Sequence, residues 1–249
     1  MKFIVLTKKH LIGLISAALV MVIAVVASVT VLAKTEKKLP IYCVESNSKQ
    51  IAISFDAAWG NDDTERIISI LNQYNVKATF FLVGDWVDKY PQSVKQLSDA
   101  GHSIQNHSNT HAYMTKLSTE QMIEELRSCN EKIAQVTGKT PTLHRFPYGD
   151  YNNKTVSAVE SIDMYAIQWD VDSKDWMSDA SVDKIISNVL TKVKDGSIIL
   201  FHNDAKYTPD ALPTILEQLI AKGYTFVLIE DLILKENYTI DHTGMQKSS

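Results

Sequence analysis

Short apolar runs alternate with longer helical stretches through most of the chain, and this alternation limits the possible folds more than any other feature. The runs are rich in β-branched and aromatic residues, which predicts strands at 51–55, 78–83, 102–105, 164–169, 197–201 and 225–228. Between them, apolar residues recur at helical spacing, as at Ile67, Leu71 and Tyr74. Repeated strand-helix units in one domain predict an α/β fold with a parallel sheet, either open or closed into a barrel.

An uncharged run from Leu11 to Ala33 precedes this domain and has lysines on both sides. It is long enough to cross the hydrocarbon core of a bilayer, so it is predicted to be a membrane anchor. The run ends in a small residue of the kind that signal peptidases favour, so secretion after cleavage near Ala33 is the alternative. In either case the large domain that follows is expected to lie outside the cytoplasm.

The chain is therefore predicted to have five segments. They are a cytoplasmic head (1–10), the anchor or signal segment (11–33), a linker (34–49), the α/β domain (50–235) and a polar tail (236–249). The net charge is −4 and both signs are mixed along the chain, which leaves no basic face for nucleic acid. Cys43 and Cys129 lack metal-ligand spacing and are predicted to be unpaired thiols.

Polar and titratable residues follow the predicted strands, at the ends where the sites of parallel α/β folds collect. These positions hold Asp56, His107 with His111, Arg145 with Tyr148, Asp172 with Asp175 and Trp176, and His202. Combined, they supply two histidines for a divalent cation such as zinc, a carboxylate base, an arginine and a histidine acid. This set suits metal-assisted attack of water on an amide.

Taken singly, each of these residues has an ordinary structural explanation. Asp56 can cap the helix that follows it, and Arg145 can lie at the surface. His107 and His111, four residues apart, can be loop histidines that make hydrogen bonds. His202 ends a buried run, where it can be a core residue bonded to a carbonyl group or a general acid.

Five short motifs resemble, in order and local sequence, the polysaccharide deacetylases of the NodB-homology group, carbohydrate esterase family 4. The likeness is greatest to the sporulation-associated PdaB-like branch, which has a membrane-anchored N-terminus. The motifs are SFDAAWG, HSNTH, RFPYG, DSKDW and LFH, and the match extends from about Gln50 to Asp231. The resemblance implies a deformed (β/α) barrel that removes acetyl groups from N-acetylated glycans, such as peptidoglycan or a chitin-like polymer, and releases acetate.

Within the first three motifs, the resemblance implies a role for each matching residue. Asp56 would be the general base, and His107 and His111 would bind a divalent metal ion, expected to be zinc. Arg145 would orient the base, and the backbone N–H of Tyr148 would face the oxyanion.

The last two motifs imply the acid and the walls of the substrate groove. His202 would protonate the leaving amine, and Asp175 would tune that histidine. Trp176 and Leu200 would line the groove.

One position departs from the family pattern. The family has a second aspartate directly after the base, as the third metal ligand, and this chain has Ala57 there. Asp62 or Asp63 can replace the missing ligand, although both precede a predicted helix, whose N-terminus favours negative charge. The substitution leaves two functions open: a metal-dependent glycan deacetylase, or a barrel with weak or no activity that binds glycan or takes part in envelope assembly.

Overall fold

The computed structural model describes residues 8–9, 13, 15–22 and 37–249. Most of the predicted anchor, 11–33, lies outside these residues, although 15–22 are helical. Among the residues that are described, no helix has both the length and the apolar character needed to cross a membrane. The chain divides into two units, Met1–Lys37 and Lys38–Ser249, and the second contains the predicted α/β domain.

A parallel sheet forms the centre of the second unit. Its strands, in spatial order, are β6 (Tyr165–Ile167), β5 (Leu143–Arg145), β4 (Ser103–Asn106), β3 (Thr79–Leu82), β2 (Gln50–Ala57), β8 (Ile198–His202) and β7 (Val171–Asp172). A further strand, β9 (Thr225–Phe226), pairs with the start of β2. Among the described strands, no pairing joins β6 to β7. The predicted α/β fold is confirmed, and the sheet is a half-barrel.

Helices connect the strands and cover the sheet. They are α1 (Thr64–Gln73), α2 (Gly84–Lys89), α3 (Pro91–Asp99), α4 (Thr119–Thr137), α5 (Asn153–Glu160), α6 (Val182–Leu190), α7 (Thr208–Ala221) and α8 (Ile229–Leu232). The longest, α4, begins with a capping box in which Ser118 and Gln121 satisfy each other's backbone N–H, and it ends at the left-handed Gly138.

Alternation along β2 separates the core from the predicted site, because successive side chains of a strand point to opposite faces. Ile53, Phe55 and Ala57 belong to the core cluster that includes residues of α1, α3 and α7. Ser54 and Asp56 point to the other face, where both contact Arg145. The same strand therefore anchors the helices and presents Asp56.

Both ends of the folded unit extend beyond the predicted domain bounds of 50–235. A small sheet contains β1 (Cys43–Val44), β11 (Met245–Ser248) and β10 (Tyr238–Ile240), so the predicted linker and the predicted tail both contribute strands. Burial of Cys43 and Val44 fixes β1 to the folded unit. The buried Gln246 side chain fixes β11, because it accepts the backbone N–H of Leu234 and donates to the Leu234 carbonyl. Cys43 and Cys129 are buried free thiols, as predicted.

Candidate active site

A cavity of about 400 Å³ contains most of the predicted site residues. It is lined by Asp56, Ala58, Trp59, His107, His111, Tyr148, Trp169, Asp172, Trp176, Leu200 and His202. Arg145 and Asp175 are buried behind the wall, where Arg145 contacts Asp56 and Asp175 contacts His202. The structure thus brings together all nine residues that the sequence predicts for catalysis, metal binding and the groove.

Asp56 and Arg145 form a buried ion pair at the carboxyl end of β2. Arg145 Nη1 donates to Asp56 Oδ1 at 2.7 Å, and Nη2 donates to Ser54 Oγ at 2.9 Å. The guanidinium lies 4.1 Å from the centre of the Phe81 ring, a distance at which the ring face attracts the cation. Burial alone would raise the pKa of Asp56, but the charge of Arg145, with His107 and His202, lowers it below its ordinary value. Asp56 is therefore ionised at neutral pH.

His202 is held by Asp175, which lies on the loop after β7. His202 Nδ1 lies 2.8 Å from Asp175 Oδ1, and the His202 backbone N–H donates to Oδ2 at 2.8 Å. Thr208 Oγ1 also donates to Oδ2, at 2.7 Å. Burial opposes the charged imidazole, but the hydrogen bond and the charge of Asp175 outweigh it and raise the pKa of His202. With Nδ1 engaged, Nε2 is the nitrogen available for proton transfer.

His107 and His111 lie side by side, with ring centres 5.0 Å apart. His107 Nδ1 lies 2.8 Å from the Arg145 carbonyl oxygen, and Nε2 lies 3.6 Å from Asp56 Oδ2. With Nδ1 as the donor to that carbonyl, Nε2 carries the lone pair and faces Asp56. Burial, the largest effect on both rings, lowers the pKa of His107 and brings that of His111 to about 4. Both imidazoles are neutral at pH 7, as metal ligands must be.

The residues of the cavity do not complete the metal centre that the resemblance implies. Ala57, at the position of the third ligand, is buried in the core and has no donor atom. Asp62 is exposed, and Asp63 accepts the backbone N–H of Asp204, so neither aspartate lines the cavity. In the described part of the chain, no three histidine, cysteine or carboxylate side chains are arranged to hold a metal ion. Two imidazoles are the available ligands.

The Asp63 carboxylate does not cap the helix that follows it. Asp63 occupies the N-cap position of α1, but its side chain makes no hydrogen bond to the helix N–H groups. Its carboxylate instead fixes the loop after β8 through Asp204, and burial raises its pKa to about 6.

Tyr148 lies in a short turn, Pro147–Gly149, with a positive φ of 60°. This left-handed conformation is unfavourable for a bulky residue and is typical of functional sites. It leaves the Tyr148 ring exposed beside His111, at a centre-to-centre distance of 4.5 Å. The role of its backbone N–H at the oxyanion stays a prediction.

Several aromatic residues of the site were not predicted from the sequence. Trp59 stacks on His202 with ring centres 5.6 Å apart, and Trp169 lines the cavity and lies 5.6 Å from the Arg145 guanidinium. Tyr113 stacks on Tyr148. Trp59 and Trp169 follow strand ends, so the rule that located Asp56 would have found them had it included aromatic side chains.

Comparison with known proteins identifies the family. Residues 44–167 match a family model described as polysaccharide deacetylase. The peptidoglycan-N-acetylglucosamine deacetylase PgdA of Listeria monocytogenes is 35% identical over 78% of this chain and 41% of its own length. The peptidoglycan-N-acetylmuramic acid deacetylase PdaA of Bacillus subtilis is 30% identical over 81% of this chain and 78% of its own. The chain spans only 40% to 60% of the length of several relatives.

Solved structures of the same family have the same fold. Wild-type BA3943 of Bacillus anthracis, described as a carbohydrate esterase family 4 pseudoenzyme, superposes with a TM-score of 0.75 at 31% identity, over 85% of this chain and 70% of its own. A BA3943 mutant described as having restored enzymatic activity also has a TM-score of 0.75, at 32% identity, over 85% of this chain and 73% of its own. By sequence and by fold, the chain belongs to the polysaccharide deacetylase family of NodB homology, carbohydrate esterase family 4.

Proposed function

We propose that the protein removes acetyl groups from an N-acetylated glycan of the peptidoglycan type and releases acetate. The observation that carries the proposal is that Asp56 and His202, paired in register on adjacent strands, line one cavity, with their pKa values shifted in opposite directions. The pKa of Asp56 is lowered and that of His202 is raised. When their environments move the pKa values of two titratable groups apart in this way, one group is suited to act as the base and the other as the acid.

The reaction then follows from these two side chains. Asp56 takes a proton from water, and the water oxygen attacks the carbonyl carbon of the acetamide. Arg145 keeps the carboxylate ionised and in place, and the Tyr148 N–H is the predicted donor to the developing oxyanion. His202 gives its Nε2 proton to the sugar nitrogen as the C–N bond breaks, so the products are acetate and a free amine. Asp175 stabilises the protonated form of His202.

Acetate release from N-acetylglucosamine oligomers and from peptidoglycan tests the proposal. The purified chain is assayed with added zinc, with other divalent metals and with a chelator. Acetate formation above the no-protein control supports the proposal, whereas its absence under every metal condition contradicts it. The chelator arm measures the metal dependence that the family resemblance implies.

Replacing Asp175 with asparagine is expected to shift the pH profile of acetate release. Asparagine keeps an oxygen for hydrogen bonding but loses the charge that raises the pKa of His202. Because a lower pKa removes the acid proton at lower pH, the alkaline limb of kcat/KM should move down in pH. Asp179→Asn, at an exposed position bonded to Lys184, is the matched control and should leave the profile unchanged. An unmoved alkaline limb in Asp175→Asn would reject this role of Asp175.

A second candidate function is glycan binding without efficient turnover. Ala57 favours it, because the cavity has two imidazole ligands and lacks the third ligand of the family pattern. BA3943 is described as a pseudoenzyme of this family and a mutant of it as having restored enzymatic activity, which supports an inactive barrel as a possibility for this fold. Oligosaccharide binding with no acetate release at any metal concentration would favour this function.

The variant Ala57→Asp separates the two candidates. In the family pattern a carboxylate at this position is the third metal ligand, so restoring it is expected to raise metal affinity and acetate release by at least about tenfold. Ala58→Asp is the matched control, since it places a carboxylate on the cavity wall one residue away. Metal titration and acetate release are measured for both variants.

Two results would contradict this expectation. If the introduced carboxylate stayed in the core, Ala57→Asp would lose stability without binding metal more tightly, because a buried unpaired charge is costly. If Ala58→Asp raised metal affinity and acetate release as much as Ala57→Asp, the added negative charge, and not its place at the ligand position, would be the cause.

We also propose that the domain acts outside the cytoplasm, anchored by residues 11–33 or secreted after cleavage near Ala33. A spore glycan is the substrate that the PdaB-like resemblance favours. The uncharged run and the glycan substrates named for the relatives support this location. Digestion of the domain by protease added to intact cells, or its recovery from the medium, is the expected result, and full protection within cells would contradict it.

A further inference from the structure

Exposed large apolar side chains gather at one place in the folded unit. From residue 38 onward, the described residues of this kind are Trp59, Tyr113, Tyr148, Trp176, Met177 and Ile220. Trp59, Tyr148 and Trp176 line the active-site cavity. Tyr113 stacks on Tyr148, and Met177 follows Trp176 in the chain. Because exposed apolar surface is unfavourable in water, its concentration around a cavity marks a binding surface.

The side-chain rings of Tyr113 and Tyr148 form the part of this surface that the catalytic proposal does not use, since that proposal involves only the backbone N–H of Tyr148. Their rings are parallel within 11° and their centres lie 4.1 Å apart, although their residues are 52% and 58% exposed. Tyr148 also contacts His111 by its ring. A row of rings therefore runs from the histidine pair, through Tyr148, to Tyr113, which does not itself line the cavity.

Hydrogen bonds join the two chain segments that carry Tyr113 and Tyr148. Asp150, two residues after Tyr148, accepts the backbone N–H of Thr115 at 3.0 Å and the Thr115 hydroxyl at 2.8 Å. Thr115 lies two residues after Tyr113, and the intervening Met114 is fully buried. The loop that carries Tyr113 is thus fixed to the turn that carries Tyr148, so the two rings keep their stacked arrangement without a ligand.

We infer that Tyr113 and Tyr148 form a sugar-stacking subsite, which binds the pyranose ring next to the one whose acetamide lies at Asp56 and His202. Flat, uncharged rings with polar hydroxyl groups suit the C–H face and the edge hydroxyls of a pyranose. Because Tyr113 lies beyond the cavity wall, it contacts only a ligand longer than one sugar. This inference rests on the proposed glycan substrate and identifies it as an oligosaccharide or polymer.

The test compares ligands of different length by isothermal titration calorimetry on the full chain. The probes are N-acetylglucosamine and its β-1,4-linked tetramer, and mass spectrometry checks that the ligand is intact after each titration. Tyr113→Ala should weaken tetramer binding about two- to twelvefold, the range of an aromatic contact of about 0.5–1.5 kcal/mol, and leave monosaccharide binding unchanged. Tyr113→Phe keeps the ring and should bind as wild type does. Ile220→Ala removes an exposed apolar side chain outside the cavity and is the control.

The outcomes separate this inference from the proposed catalysis. Tetramer binding unchanged in Tyr113→Ala, or no tetramer binding by the wild type, would overturn the subsite. An equal loss for monosaccharide and tetramer would also overturn it, because Tyr113 would then act by positioning the cavity. Length-dependent loss of binding in a protein that releases no acetate would support the subsite and reject deacetylation.

Discussion

Replacing Asp56 with asparagine is expected to slow acetate release by a factor of about 10² to 10⁴, the range that a positioned general base contributes. The amide keeps the shape of the side chain and an oxygen that can accept from Arg145. It has no basic oxygen at neutral pH, so it cannot take the proton from water. The measurement is kcat and kcat/KM for acetate release from the N-acetylglucosamine tetramer.

Asp172→Asn is the matched control for this prediction. Asp172 lines the same cavity, and its Oδ1 accepts the backbone N–H of Lys174 at 2.8 Å, which an asparagine oxygen can also do. Because Asp172 is only the last of the causes that raise the pKa of His202, the activity of Asp172→Asn should fall far less than that of Asp56→Asn. Because Asp56→Asn removes the counter-charge of the buried Arg145, thermal unfolding is measured in parallel and rates are compared where each variant is folded. Unchanged turnover in folded Asp56→Asn would reject Asp56 as the base.

Much of the site could be predicted because strand ends are easy to recognise in a parallel α/β sequence. Asp56 and His202 each end a run of buried apolar residues, and the register of the sheet places them side by side. Arg145 and the two histidines follow from motif order. The titratable residues of the cavity could thus be predicted because they interrupt the apolar pattern of the strands.

The parts that were missed lack such a pattern. The strands β5 and β7 have three and two residues, too few to show alternation. Thr208 bonds to Asp175 across 33 positions in the chain, and no local spacing indicates this contact. No sequence pattern singles out Tyr113, and only the structure shows its ring in solvent, stacked on Tyr148.

Replacing Arg145 with methionine is expected to lower the free energy of unfolding by about 3–5 kcal/mol, because it leaves the Asp56 carboxylate buried without its partner. The Arg145 side chain is fully buried, and that of Asp56 is 6% exposed, so cavity water can replace only a small part of the lost contact. Methionine preserves much of the packing against Phe81 and Trp169, which limits the change to the charge and its hydrogen bonds. Guanidinium unfolding at pH 7 measures the loss.

Arg66→Met is the matched control, because Arg66 pairs with Asp210 at the surface, where both side chains are about half exposed. Exposed pairs contribute about 0–1 kcal/mol, so this variant should unfold almost as the wild type does. Adding Asp56→Asn to Arg145→Met removes the unpaired charge, and the double variant should regain part of the lost stability. If both arginine variants lost the same small amount, or if the double variant were less stable than Arg145→Met, the buried pair would not be the cause. Arg145 would then be retained for its effect on Asp56 rather than for stability.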